Sequence, residues 1–214
     1  MRITHLGHAC LLVETQRARL LVDPGTYSSG FETLTDLDAV VLTHQHPDHI
    51  DSDKLPGLLS SNAATEVLAE PETAGRLKDF GAVALPAGAD WEFGDLTVAA
   101  VGGVHARNHD LVPSMGNVGL LISEVGGPTL FHPGDSYAEA PAGVDVLAFA
   151  LNAPWTRVSE TLDFVRRVSA PVQIPVHDGL LNETGRSAYL MHVTNFGPAD
   201  SVLRDLSDHA AYDV

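Results

Sequence analysis

Residues 43–49 read Thr-His-Gln-His-Pro-Asp-His and come directly after the apolar run Ala-Val-Val-Leu at residues 39–42. A short apolar run rich in β-branched residues predicts a buried β-strand. The strand therefore delivers a dense set of metal-binding side chains, namely His44, His46, Asp48 and His49. Imidazole and carboxylate groups are suitable ligands for zinc, iron or manganese. The stretch predicts a metal site on the turn that follows the strand.

The spacing of these four side chains indicates two ions. His44 and His46 are two residues apart, so on an extended backbone they point to the same side and can share one ion. Asp48 and His49 lie further along the turn and can reach a neighbouring point, where they can hold a second ion. The alternative is a solvated polar loop that contains these histidines by chance.

Three more potential ligands each follow a hydrophobic run that is typical of a strand: His105, Asp135 and His177. Taken alone, each would be an ordinary loop residue, but a rigid sheet can present several strand-end side chains at one rim. The expected assignment is His44, His46 and His105 for one ion, Asp48, His49 and His177 for the other, and Asp135 as a bridging carboxylate.

The rest of the chain alternates between strand-like and helix-like patterns. Strands are predicted as a hairpin within residues 3–22 and then at 39–43, 65–69, 83–85, 91–93, 96–101, 117–124, 129–132, 145–150 and 172–176. Helices are predicted at residues 53–59, 71–80, 159–169 and 198–208. This alternation favours a layered α/β fold in which helices cover two sheets. Because no Pro-, Gly- or Ser-rich linker divides the sequence, we expect residues 1–214 to form a single domain.

The composition argues against several classes of protein. The chain has 214 residues and a formal net charge of −16, whereas non-specific binding to nucleic acid or anionic membranes needs a basic surface. The single cysteine, Cys10, allows no intrachain disulfide. The first residues do not read as a signal peptide, and no stretch approaches the roughly 20 apolar residues of a membrane span. We therefore expect a soluble, cytoplasmic protein with a small-molecule substrate. The sequence leaves open whether the protein forms a homo-oligomer.

The complete pattern of ligands resembles that of the metallo-β-lactamase fold superfamily. It consists of His-x-His-x-Asp-His at residues 44–49, a later histidine, a Gly-Asp pair and a last histidine at a strand end. Asp23 also fits, as the family's structural aspartate under the site. Shorter motifs are similar to the branch of ascorbate-phosphate lactonase-like hydrolases, N-acyl phosphatidylethanolamine phospholipase D and small bacterial metal-dependent hydrolases. They are His-Leu-Gly-His-Ala at 5–9, Leu-Val-Asp-Pro at 21–24, Phe-His-Pro-Gly-Asp-Ser at 131–136 and Asn-Ala-Pro-Trp at 152–155.

The resemblance implies a four-layer αββα sandwich with the metal site at one edge, between the sheets. It further implies a hydrolase with two divalent ions, for which zinc is the first candidate and manganese, nickel or iron are alternatives. A hydroxide that bridges the two ions would cleave a small ester, lactone or phosphodiester. Asp48 would orient that hydroxide in addition to binding metal.

Other residues near these motifs have two interpretations each. His8 could approach the pocket as a proton donor or be a plain strand-end residue. His192 could protonate the leaving group or be part of ordinary structure. Trp155 could wall the pocket or pack in the core, and Arg107 and Arg186 could hold an anionic substrate or be solvated at the surface.

Alternative functions stay open at this point. A mononuclear iron dioxygenase of the persulfide-dioxygenase kind has the same fold and some of the same ligands, and differs in the identity and number of its metal ions. A phosphodiesterase or nuclease that acts on nucleic acid is opposed by the net charge of −16. A non-catalytic binding module is disfavoured because every expected ligand is present.

Overall fold

The computed structural model describes residues 1–207 and 209–214. Their strands are β1 (Arg2–His5), β2 (Leu11–Glu14), β3 (Arg19–Val22), β4 (Ala39–Leu42), β5 (Glu66–Ala69), β6 (Val83–Ala84), β7 (Asp90–Phe93), β8 (Leu96–Gly102), β9 (Val118–Glu124), β10 (Thr129–His132), β11 (Val146–Ala150), β12 (Val172–Val176), β13 (Val202–Leu203) and β14 (Ala211–Asp213). The helices are α1 (Leu55–Ser61), α2 (Pro71–Arg76), α3 (Val158–Val168) and α4 (Glu183–Phe196). Short 3-10 turns occur at Phe31–Thr33 and Lys78–Phe80.

The strands form two seven-stranded sheets, and both sheets have antiparallel pairs at one side and parallel pairs at the other. The first sheet has the order β14-β1-β2-β3-β4-β5-β6, and the second has the order β13-β12-β11-β10-β9-β8-β7. In the first sheet β1 to β3 pair antiparallel and β3 to β6 pair parallel. In the second sheet β7 to β10 pair antiparallel and β10 to β13 pair parallel. Parallel neighbours end at the same edge, so the loops after β3 and β4, and those after β10 to β12, form clusters.

Hydrophobic side chains fill the space between the two sheets. Val22 and Val41 from the first sheet and Ile122, Val146 and Ile174 from the second are fully buried there. A second core lies between the first sheet and the helices α1 and α2, and a third lies between the second sheet and the helices α3 and α4. This order of helices, sheet, sheet and helices confirms the predicted αββα sandwich.

The helix predicted at residues 198–208 is wrong over the residues that the structure describes, and Asp208 lies outside them. The segment contains β13, which extends the second sheet parallel to β12. The last helix is α4, and it begins after Asn182, whose side chain accepts a hydrogen bond from the Gly185 N–H at 2.9 Å. Val193 is the one buried residue of α4. Because this helix buries so little, its sequence lacks the apolar periodicity that predicts a helix.

Two short elements also differ from the predicted pattern. β14 pairs antiparallel with β1 and so extends the first sheet, although no strand was predicted there. The segment predicted as one helix at residues 71–80 forms the α-helix α2 and then the 3-10 turn at Lys78–Phe80. This turn ends at Gly81, whose φ is 72°. Within the described part of the chain, no helix is long and apolar enough to cross a membrane.

Candidate metal centre

The predicted ligands meet at the edge where the strand-end loops cluster, and they form two groups. The first metal group consists of His44, His46, His105 and Asp135, and the second metal group consists of His8, Asp48, His49 and His177. Within each group, potential ligand atoms lie within 4.8 Å of one another. The structure therefore brings all seven predicted ligands together, and it adds His8 to the second metal group.

Asp135 lies between the two groups, with one carboxylate oxygen towards each. Its Oδ2 is 3.4 Å from His105 Nε2 and 3.9 Å from His44 Nε2, both in the first metal group. Its Oδ1 is 3.1 Å from His49 Nε2 and 3.4 Å from His177 Nε2, both in the second. This geometry is the one a bridging carboxylate requires.

Hydrogen bonds made by Thr43 orient the ring of His44. The Thr43 hydroxyl donates its proton to Asp23 Oδ2 at 2.6 Å, so it can only accept from His44 Nδ1, which lies 3.0 Å away. His44 therefore carries its proton on the outward nitrogen, and its Nε2 has a free lone pair. His46 Nδ1 lies 3.0 Å from that Nε2. Two nitrogen ligands of one ion, each about 2.0–2.1 Å from it, can adopt such a spacing.

Asp23 lies beneath the centre and orients ligands of both groups. Its Oδ2 accepts from His49 Nδ1 at 2.7 Å, which leaves His49 Nε2 free to face Asp135. Its Oδ1 accepts the backbone N–H of Thr43 at 2.8 Å. Carboxylates in this position fix the tautomer and the direction of metal-binding histidines. This is the role that the resemblance implies for Asp23.

Two backbone carbonyls hold the remaining histidines in the same way. His105 Nδ1 donates to the Ala106 carbonyl at 2.5 Å, and His177 Nδ1 donates to the Asn152 carbonyl at 2.7 Å. When these rings are neutral, the inward Nε2 carries no proton. Each neutral ring therefore presents a lone pair to the centre.

His8 differs from all of these histidines. Its outward Nδ1 lies 3.1 Å from the backbone N of Gly179, and a backbone N–H can only donate. The Nδ1 of His8 therefore accepts, and its proton must be on Nε2, which faces Asp48 Oδ2 at 3.1 Å. His8 presents a hydrogen-bond donor to the centre, whereas the neutral rings of His44, His49, His105 and His177 present lone pairs.

The loops around the centre place three non-glycine residues in the left-handed region: His8, Asp23 and His177 have φ values of 50°, 45° and 57°. Such backbone costs of order 1 kcal/mol per residue and persists where surrounding contacts hold it. The His8 carbonyl accepts the His177 N–H and the His5 Nε2–H, both at 2.7 Å. These contacts lock the first hairpin loop against the end of β12.

Four buried atoms of the centre have no hydrogen-bond partner in the described part of the chain: His49 Nε2, His105 Nε2, Asp135 Oδ1 and His177 Nε2. A buried polar atom left unpaired costs about 1–3 kcal/mol. Inward lone pairs of imidazole, together with a carboxylate, are the donor set of zinc and similar divalent ions. The residues present therefore fit metal ions, which would satisfy these atoms.

The charges of the centre shift the pKa values of its members. Burial lowers the pKa of His177, but Asp135 and Asp48 outweigh that effect and raise it to about 9. Burial likewise opposes the charged form of His49, yet Asp135 and Asp23 hold its pKa well above the usual value. Burial would raise the pKa of Asp135, but His49 and His177 hold it well below the usual range. The centre therefore favours positive charge, and metal ions compete with protons for the same atoms.

Glycine and asparagine residues allow the loops to approach closely. A Cβ on Gly25 would overlap the backbone carbonyl of Asp48, so only glycine lets these two loops touch. Asn117 accepts the Asp135 N–H at 2.9 Å and donates to the Pro133 carbonyl at 3.0 Å, which fixes the turn that carries Asp135. Gly134 in that turn has φ 58°.

Of the other residues that the sequence singled out, Trp155 lies at the centre, whereas Arg186 and His192 do not belong to either metal group. The Trp155 Nε1–H donates to Asp135 Oδ2 at 2.7 Å. Arg186 pairs with Asp178 and Asp205 at 2.7 Å, so it is held within the protein's own ion pairs. His192 lies on α4 in neither metal group, with its ring 6.2 Å from that of Phe196.

Sequence reasoning missed three groups that shape the centre: the Thr43 hydroxyl, the Asn117 side chain and the Asn152 carbonyl. Thr43 adjoins the histidine cluster, so its position was a usable signal. Asn117 is 18 residues from the amide that it binds, and a backbone carbonyl has no sequence signature. No local pattern could have identified these two.

Comparisons with known proteins identify the family of the chain. The profile of a family described as Beta-lactamase superfamily domain matches residues 2–177. Protein Rv0786c from Mycobacterium tuberculosis is 41% identical over 201 residues, which cover 94% of each chain. A UPF0173 metal-dependent hydrolase from Alkaliphilus metalliredigens is 28% identical over 193 residues, or 83% of this chain and 85% of that protein.

The fold is also similar to that of solved structures. The metallo-β-lactamase fold protein YhfI from Bacillus subtilis superposes with a TM-score of 0.74 at 16% identity, covering 99% of this chain and 98% of YhfI. At this identity the likeness concerns the fold alone. With the matched family profile and the two sheets described above, it follows that the chain belongs to the metallo-β-lactamase superfamily.

Proposed function

We propose that this metal-dependent hydrolase uses two divalent ions, zinc being the first candidate, to cleave a small ester, lactone or phosphodiester. The proposed ligands are His44, His46 and His105 for one ion, Asp48, His49 and His177 for the other, and Asp135 for both. We further propose that residues 1–214 act as one domain, since both halves of the chain contribute to the core between the sheets.

The position of Asp135 is the observation that carries this proposal. One of its oxygens faces the first metal group and the other faces the second, at 3.1 to 3.9 Å from four imidazole nitrogens. A site for one ion would not need ligands on both sides of a carboxylate. The arrangement therefore favours a pair of ions over the mononuclear dioxygenase alternative.

Asp48 is the proposed catalytic carboxylate. When bound, a pair of divalent ions lowers the pKa of water and polarises the bond to be cleaved. Asp48 lies at the mouth of the centre with its side chain 21% exposed, so it can accept a hydrogen bond from the attacking water. Burial raises the pKa of Asp48, but His177 and His8 outweigh it and hold the pKa below its usual range. The group therefore stays a carboxylate and can orient the water.

His8 is the proposed positioning residue for Asp48. Its Nε2–H donates to Asp48 Oδ2, the oxygen that also lies 3.5 Å from His177 Nε2, and thereby holds the carboxylate against the second metal group. The proposal assigns no step to His192, because that residue belongs to neither metal group.

The size of the cavity over the centre and the net charge of the chain support a small substrate. A cavity of about 210 Å³ opens over the centre between His46, Asp48, Pro154 and Trp155. The net charge of −16 opposes the approach of a polyanion such as nucleic acid. Small esters and lactones, or a phosphodiester with a single charge, remain compatible with both features.

The test combines a metal count with activity. Protein stripped with chelator and reloaded with zinc is analysed for zinc per chain, and then assayed with p-nitrophenyl acetate, γ-butyrolactone and bis(p-nitrophenyl) phosphate. The variants His105→Ala and His109→Ala form a matched pair, because His109 lies in the same loop but outside both metal groups, and its ring accepts the Leu111 N–H at 3.1 Å.

We expect two zinc ions in the wild type and in His109→Ala, and about one in His105→Ala, whose hydrolysis should fall at least about 100-fold. Two ions in His105→Ala, or turnover of none of the three substrates, would contradict the proposal. A single bound iron in the protein as purified would favour the dioxygenase alternative.

A further inference from the structure

A cavity of about 520 Å³ lies beside the mouth of the metal centre. It runs between the loops that follow β8, β10 and β11 and the helix α3, and we call it the side pocket. His105 and Trp155 line both the side pocket and the smaller cavity over the centre. A molecule whose reacting bond lies over the metal group could therefore extend past Trp155 into the side pocket.

We propose that the side pocket binds an uncharged apolar part of the substrate, namely an aryl or medium-chain alkyl group attached to the bond that is cleaved. This inference rests on the proposed function and makes it more specific. Apolar and aromatic side chains line much of the pocket, namely those of Val104, Ala106, Tyr137, Ala138, Trp155 and Phe164.

Three aromatic rings form the floor of the side pocket. Tyr137 stacks on Phe164 with ring centroids 4.1 Å apart, and the edge of Tyr137 meets Trp155 at 4.8 Å. Phe164 is a buried residue of α3 and packs in the core between this helix and the second sheet, so this floor is rigid. Rigid aromatic surfaces favour flat or apolar ligands.

The polar atoms of these rings are directed away from the pocket. The Tyr137 hydroxyl donates to the Ala150 carbonyl at 2.5 Å, and the Trp155 Nε1–H donates to Asp135 Oδ2 at 2.7 Å. Neither group is left to bind a polar ligand. The floor therefore offers a ligand carbon surface and ring faces rather than hydrogen bonds.

Three of the four Asp, Glu and Arg side chains that line the side pocket have partners, and the fourth, Asp163, is exposed to solvent. Arg107 pairs with Asp110 at 2.6 Å, and Arg167 donates to the Tyr137 carbonyl while its guanidinium covers the Phe164 ring at 5.6 Å. Glu160 accepts the backbone N–H of Arg157 at 2.7 Å. An anionic ligand would have to displace these contacts, whereas an uncharged apolar ligand would not.

Trp155 offers a direct measure of binding. The chain has two tryptophans, Trp91 and Trp155, so Trp91→Phe leaves Trp155 as the one fluorescent indole. In this background, metal-free and zinc-loaded protein are titrated with 3-phenyl-1-propanol, 1-hexanol and hexane-1,2,6-triol. The triol has the same carbon chain as hexanol but is polar, and serves as its control.

A matched pair of variants tests the place of binding. Val104→Asp puts a charge on the pocket wall, and Val125→Asp puts the same charge in the turn after β9; both valines are exposed, at 62% and 78%, so both variants should fold. We expect saturable fluorescence changes with the two apolar alcohols and none with the triol. Val104→Asp should weaken apolar binding roughly tenfold, and Val125→Asp by less than about twofold.

Three results would overturn the inference: no saturation with either apolar alcohol, equal responses to hexanol and the triol, or equal effects of the two variants. Because the titration also uses metal-free protein, it does not depend on hydrolysis. Apolar binding without any hydrolysis would contradict the proposed function alone, and hydrolysis without apolar binding would contradict the side pocket alone.

Discussion

The two metal groups have four members each and lie at one edge of the same sandwich, but the second group contains one histidine, His8, that presents a proton to the centre. In the first metal group, His44 and His105 donate outward through Nδ1, to a hydroxyl and to a carbonyl, and so present lone pairs inward. In the second, His8 accepts an N–H from Gly179 at its outward nitrogen and therefore presents a proton inward.

Closeness alone therefore does not identify a metal ligand. The partner of the outward nitrogen selects the tautomer, and the tautomer decides whether the inward nitrogen can bind a cation. By this criterion the second metal group has three ligands of its own and shares Asp135 with the first. His8 then acts on Asp48 and not on the ion.

Removing the shared carboxylate should have the largest effect. Asp135→Ala takes away an oxygen from each group, so we expect nearly complete loss of both zinc ions and of hydrolysis. Zinc per chain after dialysis measures this, with circular dichroism as a check on folding. Asp110→Ala, a highly exposed aspartate of the neighbouring loop, is the control and should retain both ions. Retention of two zinc ions by Asp135→Ala would show that the carboxylate does not bridge.

Changing the carboxylate beneath the centre should weaken both groups by an intermediate amount. In Asp23→Asn, an amide NH₂ replaces one of the oxygens that accept from His49, the Thr43 hydroxyl and the Thr43 N–H. We expect zinc affinity to fall about 10- to 100-fold, as for other partners of metal-binding histidines. Competition with a chelator measures this, and the exposed Asp36→Asn should behave as the wild type. An unchanged affinity in Asp23→Asn would mean that this carboxylate does not orient the ligands.

The smallest effect concerns the pH dependence of stability in metal-free protein. The folded pKa of His177 is raised to about 9 from an ordinary value of 6.5, so its protonated form stabilises the fold fully below pH 6.5. That stabilisation is lost as the pH rises through 9, and we expect the melting temperature to fall by a few degrees over this range.

Zinc-loaded protein should show a flatter dependence, because ions replace the protons at these atoms. His177→Gln, without the titrating group, should lose part of the decline. A melting temperature of metal-free wild type that rises between pH 6.5 and 9 would contradict the assigned charge of the second metal group.

The ligands could be predicted from the sequence because each follows a strand whose pattern is strong. His44 follows a fully buried strand, and Asp135 and His177 come after β10 and β12, so strand ends predicted their meeting point. The αββα layers followed from the resemblance and are confirmed. Helix α4 could not be predicted in the same way, since it buries little and lacks apolar periodicity.

The role of His8 could not be predicted because its partner is remote. Gly179 is 171 residues away in the sequence and contributes a backbone N–H, which leaves no pattern in side chains. A Cβ on Gly179 would lie 3.0 Å from His8 Nδ1, so a larger residue would crowd this contact. The fold had to be known before the protonated nitrogen of His8 could be assigned.

The central claim is that seven residues hold two ions and that His8, although adjacent, holds none. Zinc per chain, measured side by side on the wild type, His8→Ala and His177→Ala, tests it most directly. We expect two ions in the wild type and in His8→Ala, and one ion in His177→Ala. Hydrolysis should be reduced in both variants. One ion in His8→Ala would contradict it by making His8 a ligand, and two ions in His177→Ala would contradict the proposed ligand set of the second metal group.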